Sequence, residues 1–182
     1  EALYVFLSDP FYCGENKTYY SGPGALMHDD GSPIFGYTTE DILPITAQAL
    51  GDALEKKRCY ALLVIRPHPS EWTRPLYEFA KTFQHEHLRV TVIEKHSTPE
   101  WLAAADAVLG MMTIALLHSA FLKRPTLSIQ IGLDESGQDD PGVATQLGYI
   151  PLITDKNKLH ETCQQLVESP KNFSPSVTAH QI

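Results

Sequence analysis

Residues 106–132, DAVLGMMTIALLHSAFLKRPTLSIQIG, contain the pattern that decides the fold. An apolar run at 107–110 ends in a glycine, which is typical of a buried strand followed by a sharp turn. From Thr113 onward, apolar residues recur at steps of three and four, which predicts a helix that Pro125 ends. Residues 126–131 predict a second strand. Strand, helix and strand within about thirty residues form one βαβ unit, so the two strands are expected to be parallel.

The same alternation continues through the rest of the chain. Strands are predicted at 2–8, 60–65, 88–94, 107–110, 126–131 and 149–153, and helices begin near 38, 75, 98, 113, 143 and 155. The sequence therefore predicts an α/β fold, a three-layer Rossmann-like sandwich of about six mostly parallel strands with helices on both faces, over residues 1–169. Residues 9–38 form a long loop without sustained periodicity, either a functional lid or a segment with short elements. Residues 170–182 read as a polar tail.

Composition and charge indicate a single globular domain with an acidic balance. The chain has 182 residues, of which 43% are hydrophobic, and a formal net charge of −8, which argues against nucleic-acid binding through a broad basic surface. Cys13, Cys59 and Cys163 are widely spaced and form no CxxC pair, so we expect a reducing, cytoplasmic setting with neither a disulfide framework nor a metal site. No apolar run approaches the length of a membrane span. Because the sequence begins at Glu1 without methionine, a piece of a longer protein is one interpretation.

The predicted sheet gathers several polar segments at one edge. Ligands of such sheets bind outside the carboxyl ends of the strands. That edge would hold Ser8-Asp9, residues 66–71, residues 94–97, residues 110–113 and Gly132. Two of these segments carry interpretable chemistry.

The first segment runs from Gly110 to Thr113 and begins the predicted helix. Free backbone N–H groups, the helix dipole and the Thr113 hydroxyl would together form a seat for an anion such as a phosphate. Alternatively, the segment is only a structural helix cap, since every strand-to-helix turn has similar features.

The second segment is Arg66-Pro-His68-Pro-Ser-Glu71. Its prolines stiffen the chain, so that a guanidinium, an imidazole and a carboxylate project near one another. Arg66 could hold a phosphate with two hydrogen bonds, and His68 could add a hydrogen bond or a proton. Alternatively, the segment is a strand end with Ser70 as a helix cap and an Arg66–Glu71 ion pair.

These two segments together resemble a known family. RPHPSEW at 66–72, followed by GMMTIALLHSAFLKRPTLSIQIG at 110–132, resembles the C-terminal nucleotide-binding half of GT-B glycosyltransferases and the related UDP-N-acetylglucosamine 2-epimerases. Those proteins often have a strand-end His-Pro and then G-x-S-x-x-x-L-E-A-x-x-x-G-x-P-x-x-S. The resemblance covers most of residues 2–168. It implies that Thr113 and the helix N-terminus hold the donor phosphates, with Gly110 at the turn.

The resemblance breaks down at His118, where the family usually has a glutamate that binds the ribose. A neutral imidazole accepts one hydrogen bond, whereas a carboxylate accepts a pair, so His118 would contact the ribose or base differently. Alternatively, His118 is an ordinary core or surface histidine. The acidic residues of 133–141 would repel a donor anion if they lay near the phosphate seat, although a solvated surface turn is the simpler interpretation.

The resemblance implies the donor-binding domain of a glycosyltransferase-like enzyme of cell-surface polysaccharide synthesis. Its nucleotide-sugar phosphate site would be lined by Arg66, His68, Glu71 and Thr113. The nucleotide sugar would be a substrate, no cofactor would be needed, and a separate N-terminal GT-B domain would supply the acceptor contacts and commonly the catalytic base. A non-catalytic ligand- or partner-binding module of the same fold is a second hypothesis, which His118 and the acidic residues favour. A phosphotransferase with a CDP-linked donor is a third, because LLHSAFLKRP at 116–125 also resembles polyglycerol-phosphate polymerases.

Overall fold

The computed structural model describes residues 1–13, 18–19 and 26–175 of the chain. In chain order the strands are β1 (Ala2–Leu7), β2 (Tyr12–Cys13), β3 (Thr18–Tyr19), β4 (Ala61–Arg66), β5 (Leu88–Val92), β6 (Ala107–Gly110), β7 (Thr126–Ile129) and β8 (Leu152–Ile153). The helices are α1 (Thr39–Lys57), α2 (Arg74–Thr82), α3 (Thr98–Ala104), α4 (Ala115–Phe121), α5 (Leu133–Ser136), α6 (Val143–Gln146) and α7 (Lys156–Glu168). A short 3-10 helix follows at Pro170–Phe173.

Six of the strands form one parallel sheet in the order β5-β4-β1-β6-β7-β8. Counted along the chain, the order is 3-2-1-4-5-6, the doubly wound arrangement of dinucleotide-binding folds. The predicted α/β sandwich is therefore confirmed. The winding direction reverses between β1 and β6, so a crevice is expected where these two strands end.

The two faces of the sheet are covered by different helices, as β1 illustrates. Tyr4 and Phe6 point into a core shared with α1, α2 and α7, whereas Val5 and Leu7 point into a second core shared with α3, α4 and α6. Because both faces are buried, β1 is a continuous apolar run in the sequence rather than an alternating one.

The long segment at 9–38 contains short elements, which is the second of the two interpretations offered for it. β2 and β3 pair antiparallel, Met27 and Pro33 form an isolated bridge, and Phe11 is buried in the core. Residues 14–17 and 20–25 of the predicted loop lie outside the described residues.

This segment docks against the chain after β7 through two glycines. Gly36 and Gly132 have φ of +78° and +111°, and a Cβ added to either would lie within 2.4 Å of the other's carbonyl oxygen. A side chain at either position would be strained and would separate the two backbones. The glycine pair thus fixes how the segment lies beside the end of β7.

The helix of the βαβ unit begins later than the sequence pattern predicts. α4 starts at Ala115 rather than at Thr113, and the acidic stretch after β7 contains the short helix α5.

At the end of the chain, residues 170–173 are helical and Phe173 packs partly against the core, while residues 176–182 of the predicted tail lie outside the described part. Within the described part of the chain, no helix has the length and apolar character needed to cross a membrane.

Candidate functional site

A cleft of about 300 Å³ opens above the carboxyl ends of β1 and β4, beside the N-termini of α3 and α4. Four of the six predicted site residues line it, namely Arg66, His68, Thr113 and His118. Its other lining residues are Leu7, Ser8, Pro67, Pro69, Thr98, Pro99, Ile114 and Ala115. The cleft lies next to the point where the winding of the sheet reverses, as the fold predicts.

Arg66 is almost fully buried and its guanidinium already has partners. Nη1 donates to the carbonyl oxygens of Ile93 at 2.6 Å and Lys95 at 3.2 Å, and Nη2 donates to that of His96 at 3.2 Å. These bonds tie the end of β4 to the backbone that follows β5. Nε is buried without a hydrogen-bond partner among the described residues. Both N–H groups of Nη1 and one of the two on Nη2 are therefore engaged within the fold.

Glu71 binds the end of β1 rather than Arg66. Its Oε2 accepts a hydrogen bond from the Ser8 hydroxyl and another from the backbone N–H of His68 at 3.1 Å. Burial raises the pKa of Glu71 to about 8; the hydrogen bonds from Ser8 and His68 lower it, and the nearby Asp9 raises it further. Glu71 thus joins β1 to the turn after β4 from beneath the cleft, and the ion pair proposed as the structural alternative does not form between the described side chains.

His68 presents an N–H donor at the cleft. Its Nδ1 accepts a hydrogen bond from the backbone N–H of Ser70 at 3.2 Å, so the neutral ring carries its proton on Nε2. Burial lowers the pKa of His68, which keeps the ring neutral at pH 7. A neutral imidazole of this tautomer can donate one hydrogen bond to a ligand oxygen.

Gly110 ends β6, and Thr113 lies just before α4 begins at Ala115. A Cβ on Gly110 would lie 3.0 Å from the Leu7 carbonyl oxygen and 3.2 Å from Leu116 Cδ2, so glycine is needed for β6 to pass close to β1. The Thr113 hydroxyl accepts a hydrogen bond from the N–H of Ala115, the first residue of α4, at 3.4 Å. These contacts agree with the structural alternative and leave the hydroxyl proton available to a ligand.

Asp9, which the sequence placed at this edge without assigning it a role, occupies part of the anion seat. The side chain is only 4% exposed, and Oδ2 accepts the backbone N–H of Met112 at 3.2 Å. Burial raises the pKa of Asp9 to about 7, although hydrogen bonds from the backbone of Met112 and Thr113 lower it. The Asp9 carboxyl group therefore accepts a backbone hydrogen bond that a bound phosphate would otherwise accept. The sequence feature that could have indicated this role is an acidic residue directly after a buried strand, at the edge of the sheet where ligands are predicted to bind.

A buried polar network lies at the end of β7 and was not anticipated from the sequence. Gln130 accepts the Tyr37 hydroxyl proton at 2.8 Å and donates to Asp140 Oδ1 at 2.9 Å, which also accepts the Gly142 N–H at 2.8 Å. Asp140 is thus structural. The other acidic residues of this stretch, Asp134, Glu135 and Asp139, are exposed, as the interpretation of a solvated surface turn requires.

Known proteins share the fold of this chain but not its sequence. No protein-family model and no curated protein matches it. The chain is similar to the UDP-GlcNAc 2-epimerase of Neisseria meningitidis bound to UDP-GlcNAc, with a TM-score of 0.50, 9% identity and coverage of 94% of this chain and 37% of that one. It is also similar to a protein assigned as UDP-N-acetylglucosamine 2-epimerase from Listeria monocytogenes, with a TM-score of 0.52, 12% identity and coverage of 96% and 39%.

A third similar structure is the wall teichoic acid polymerase TagF, with a TM-score of 0.49, 13% identity and coverage of 95% and 36%. The two epimerase structures show that the chain has the fold of one GT-B half. The chain spans less than two fifths of the length of each of the three proteins. At such identities the likeness extends to the fold and no further.

Proposed function

We propose that this chain is the donor-binding half of a two-domain, glycosyltransferase-like enzyme that uses a nucleotide sugar in cell-surface polysaccharide synthesis. The observation that carries the proposal is the cleft beside the β1–β6 crevice, where His68, Thr113 and His118 converge. The chain spans 37% of a fold neighbour that is bound to UDP-GlcNAc, which supports a partner domain on the open side of the cleft.

The chemistry of the cleft suits a leaving diphosphate. Nε2–H of His68 and the Thr113 hydroxyl are neutral donors that would bind phosphate oxygens and stabilise the charge that grows on them as the sugar leaves. His118, which is exposed on α4, would contact the ribose or base. Transfer would then depend on positioning and on electrostatic stabilisation, and the partner domain would supply the acceptor and the catalytic base.

Two observations favour a non-catalytic ligand- or partner-binding module as the second candidate. The Asp9 carboxyl group already accepts the Met112 N–H, and the Nη groups of Arg66 are bound to three carbonyl oxygens. Each of these contacts occupies a group that a donor phosphate would use. Both contacts are therefore consistent with a module of this fold that has no transferase activity.

We expect nucleotide binding to raise the melting temperature of this chain. UDP, GDP, CMP and CDP are each added, and a nucleotide at a hundred times its Kd should stabilise the fold by about 2.7 kcal/mol. Thr113→Ala should weaken the preferred nucleotide roughly fivefold, the equivalent of about 1 kcal/mol for one lost hydrogen bond. Thr82→Ala is the matched control, because that hydroxyl lies on α2 and, among the described residues, bonds only to the backbone of its own helix.

The choice of nucleotide separates the remaining hypotheses. A response to UDP or GDP supports a sugar donor, whereas a response confined to CMP and CDP supports the phosphotransferase. If none of the four nucleotides shifts the melting temperature, the donor site is not formed by this chain, and the non-catalytic module becomes the better account.

A further inference from the structure

A second group of ligating side chains lies away from the cleft, where α1 and α7 pack beside the turn that precedes β5. Asp52 and Glu55 project from α1, His85 from the turn and His160 from α7. One potential ligand atom from each of Asp52, Glu55 and His85 lies within 4.8 Å of the other two. The residues come from three separate elements, so the cluster is a product of the tertiary fold.

The ligand atoms of Asp52, Glu55 and His85 are close enough together to surround one ion, whereas His160 lies near Asp52 but outside that group of three and would have to move inward to join it. His85 Nε2 lies 3.6 Å from Asp52 Oδ1 and 3.9 Å from Glu55 Oε2, and His160 Nδ1 lies 3.8 Å from Asp52 Oδ2. All three exceed the roughly 2.7–3.2 Å of an N–H···O hydrogen bond. They are close to the separation of about 3.3–3.6 Å between neighbouring ligands of a tetrahedral ion with bonds of about 2.0–2.2 Å.

His85 is held in place by the surrounding structure. Its side chain is 9% exposed, and Nε2 makes no hydrogen bond to a described residue. The ring lies against Gly51, where an added Cβ would approach His85 Cδ2 to 2.7 Å, so a glycine is needed for the ring to reach α1. Gln48 donates to Asp52 Oδ1 at 2.7 Å and thereby orients that carboxylate.

We propose that Asp52, Glu55 and His85 bind one divalent transition-metal ion of the Zn²⁺ class, that His160 moves in from α7 as the fourth ligand, and that the ion thereby joins α1, α7 and the turn before β5. Two imidazoles and two carboxylates suit Zn²⁺, whereas Mg²⁺ and Ca²⁺ prefer sites made of oxygen atoms alone. A pocket of about 100 Å³ between α1 and α7 borders Asp52 and His160 and gives the ion access. Lys56 lines the same pocket, but two carboxylates outnumber its single positive charge.

Binding requires a change of tautomer at His85. Its Nδ1 now accepts the His87 backbone N–H at 3.2 Å, so the proton of the neutral ring is on Nε2. For Nε2 to bind the ion, that proton must leave Nε2 and Nδ1 must become protonated. The ring stays neutral and the hydrogen bond from His87 is lost. The site should therefore bind more weakly than a preformed one, and the movement of the proton gives it a spectroscopic signature.

The test is a Zn²⁺ titration of the folded chain, followed by melting temperature and calorimetry. Micromolar Zn²⁺ is expected to raise the melting temperature of the wild type and of His28→Asn, a control that removes an exposed histidine remote from the cluster. His85→Asn and Glu55→Gln should each weaken binding at least tenfold. Mg²⁺ at the same concentration should have no effect. Glu55 is largely exposed, so its substitution tests the site even if His85→Asn fails to fold.

Two spectroscopic measurements complete the test. Co²⁺ should give the visible absorption of a four-coordinate site, and ¹⁵N spectra of the wild type should show the His85 proton on Nδ1 only when Zn²⁺ is bound. Equal stabilisation of the wild type, His85→Asn and Glu55→Gln by Zn²⁺ would assign binding to surface histidines and overturn the proposal. The absence of any shift in melting temperature at 100 µM Zn²⁺ would also overturn it, because a site with Kd of about 1 µM is nearly saturated at that concentration. The nucleotide response of Glu55→Gln should be unchanged, which keeps this proposal separate from the proposed function.

Discussion

Asp9→Asn is expected to stabilise the fold at pH 8 by several kcal/mol. Burial raises the pKa of Asp9 from its ordinary value of 3.8 to about 7, and that of Glu71 from 4.5 to about 8. At pH values between the ordinary and the raised pKa of each group, the folded chain binds more protons than the unfolded chain. The stability of the fold therefore falls as the pH rises from about 4 to about 8. One pKa unit corresponds to about 1.4 kcal/mol. Asparagine keeps an oxygen for the Met112 N–H but carries no charge to bury.

The measurement is urea unfolding of the wild type, Asp9→Asn and Glu71→Gln at pH 5 and at pH 8. The wild type should lose stability between the two pH values, and each substitution should make the dependence shallower. Asp134→Asn, which alters an exposed carboxylate, should follow the wild type. Burial lowers the pKa of His68, which gives a contribution of opposite sign, so the difference between variant and wild type is the informative quantity. Parallel curves for the wild type and Asp9→Asn would contradict the prediction.

The same substitution bears on the proposed donor site. At pH 8 an ionised Asp9 would oppose a diphosphate at the Met112 N–H, whereas at pH 6 the protonated group would not. Asp9→Asn should therefore bind the preferred nucleotide about tenfold more tightly than the wild type at pH 8, a difference of about 1.4 kcal/mol, and with similar affinity at pH 6. An equal affinity of variant and wild type at both pH values would place the nucleotide away from Asp9.

The fold could be predicted because its signals are local. The apolar run at 107–110, the helical spacing after Thr113 and the β-rich run at 126–131 each report on a few neighbouring residues, and the strand order then follows from the rules for parallel sheets. The same rules predict that Arg66, His68 and Thr113 lie at one edge of the sheet. The cleft confirms that these side chains lie together.

The partners of those side chains could not be predicted in the same way. Arg66 binds carbonyl oxygens that are exposed only because the backbone turns after β5, where His96 has φ of +68°. The burial of Asp9 depends on β1 lying beside β6 in the sheet. The cluster around His85 requires α1 to pack against the turn before β5, and no spacing within the sequence encodes that contact.

Arg66→Met is expected to destabilise the fold by about 3 kcal/mol. Methionine matches the length of the arginine stem but donates no hydrogen bonds, so the carbonyl oxygens of Ile93, Lys95 and His96 all lose their charged partner in a part-buried site. The matched control is Arg74→Met, because Arg74 is exposed and its one ion pair within the described part of the chain is with Glu78 on the same helix. That substitution should change the stability by about 0.5 kcal/mol or less.

Unfolding in urea gives the two stabilities, and nucleotide titration below the unfolding transition then separates the two roles proposed for Arg66. If Arg66 chiefly holds the chain after β5, Arg66→Met should be much less stable but bind the preferred nucleotide within about threefold of the wild type, a difference of less than about 1 kcal/mol. If Arg66 instead contacts the donor phosphate, binding should be lost while the stability resembles that of Arg74→Met. The three carbonyl contacts favour the first result, because three of the five guanidinium N–H groups already bind acceptors within the fold.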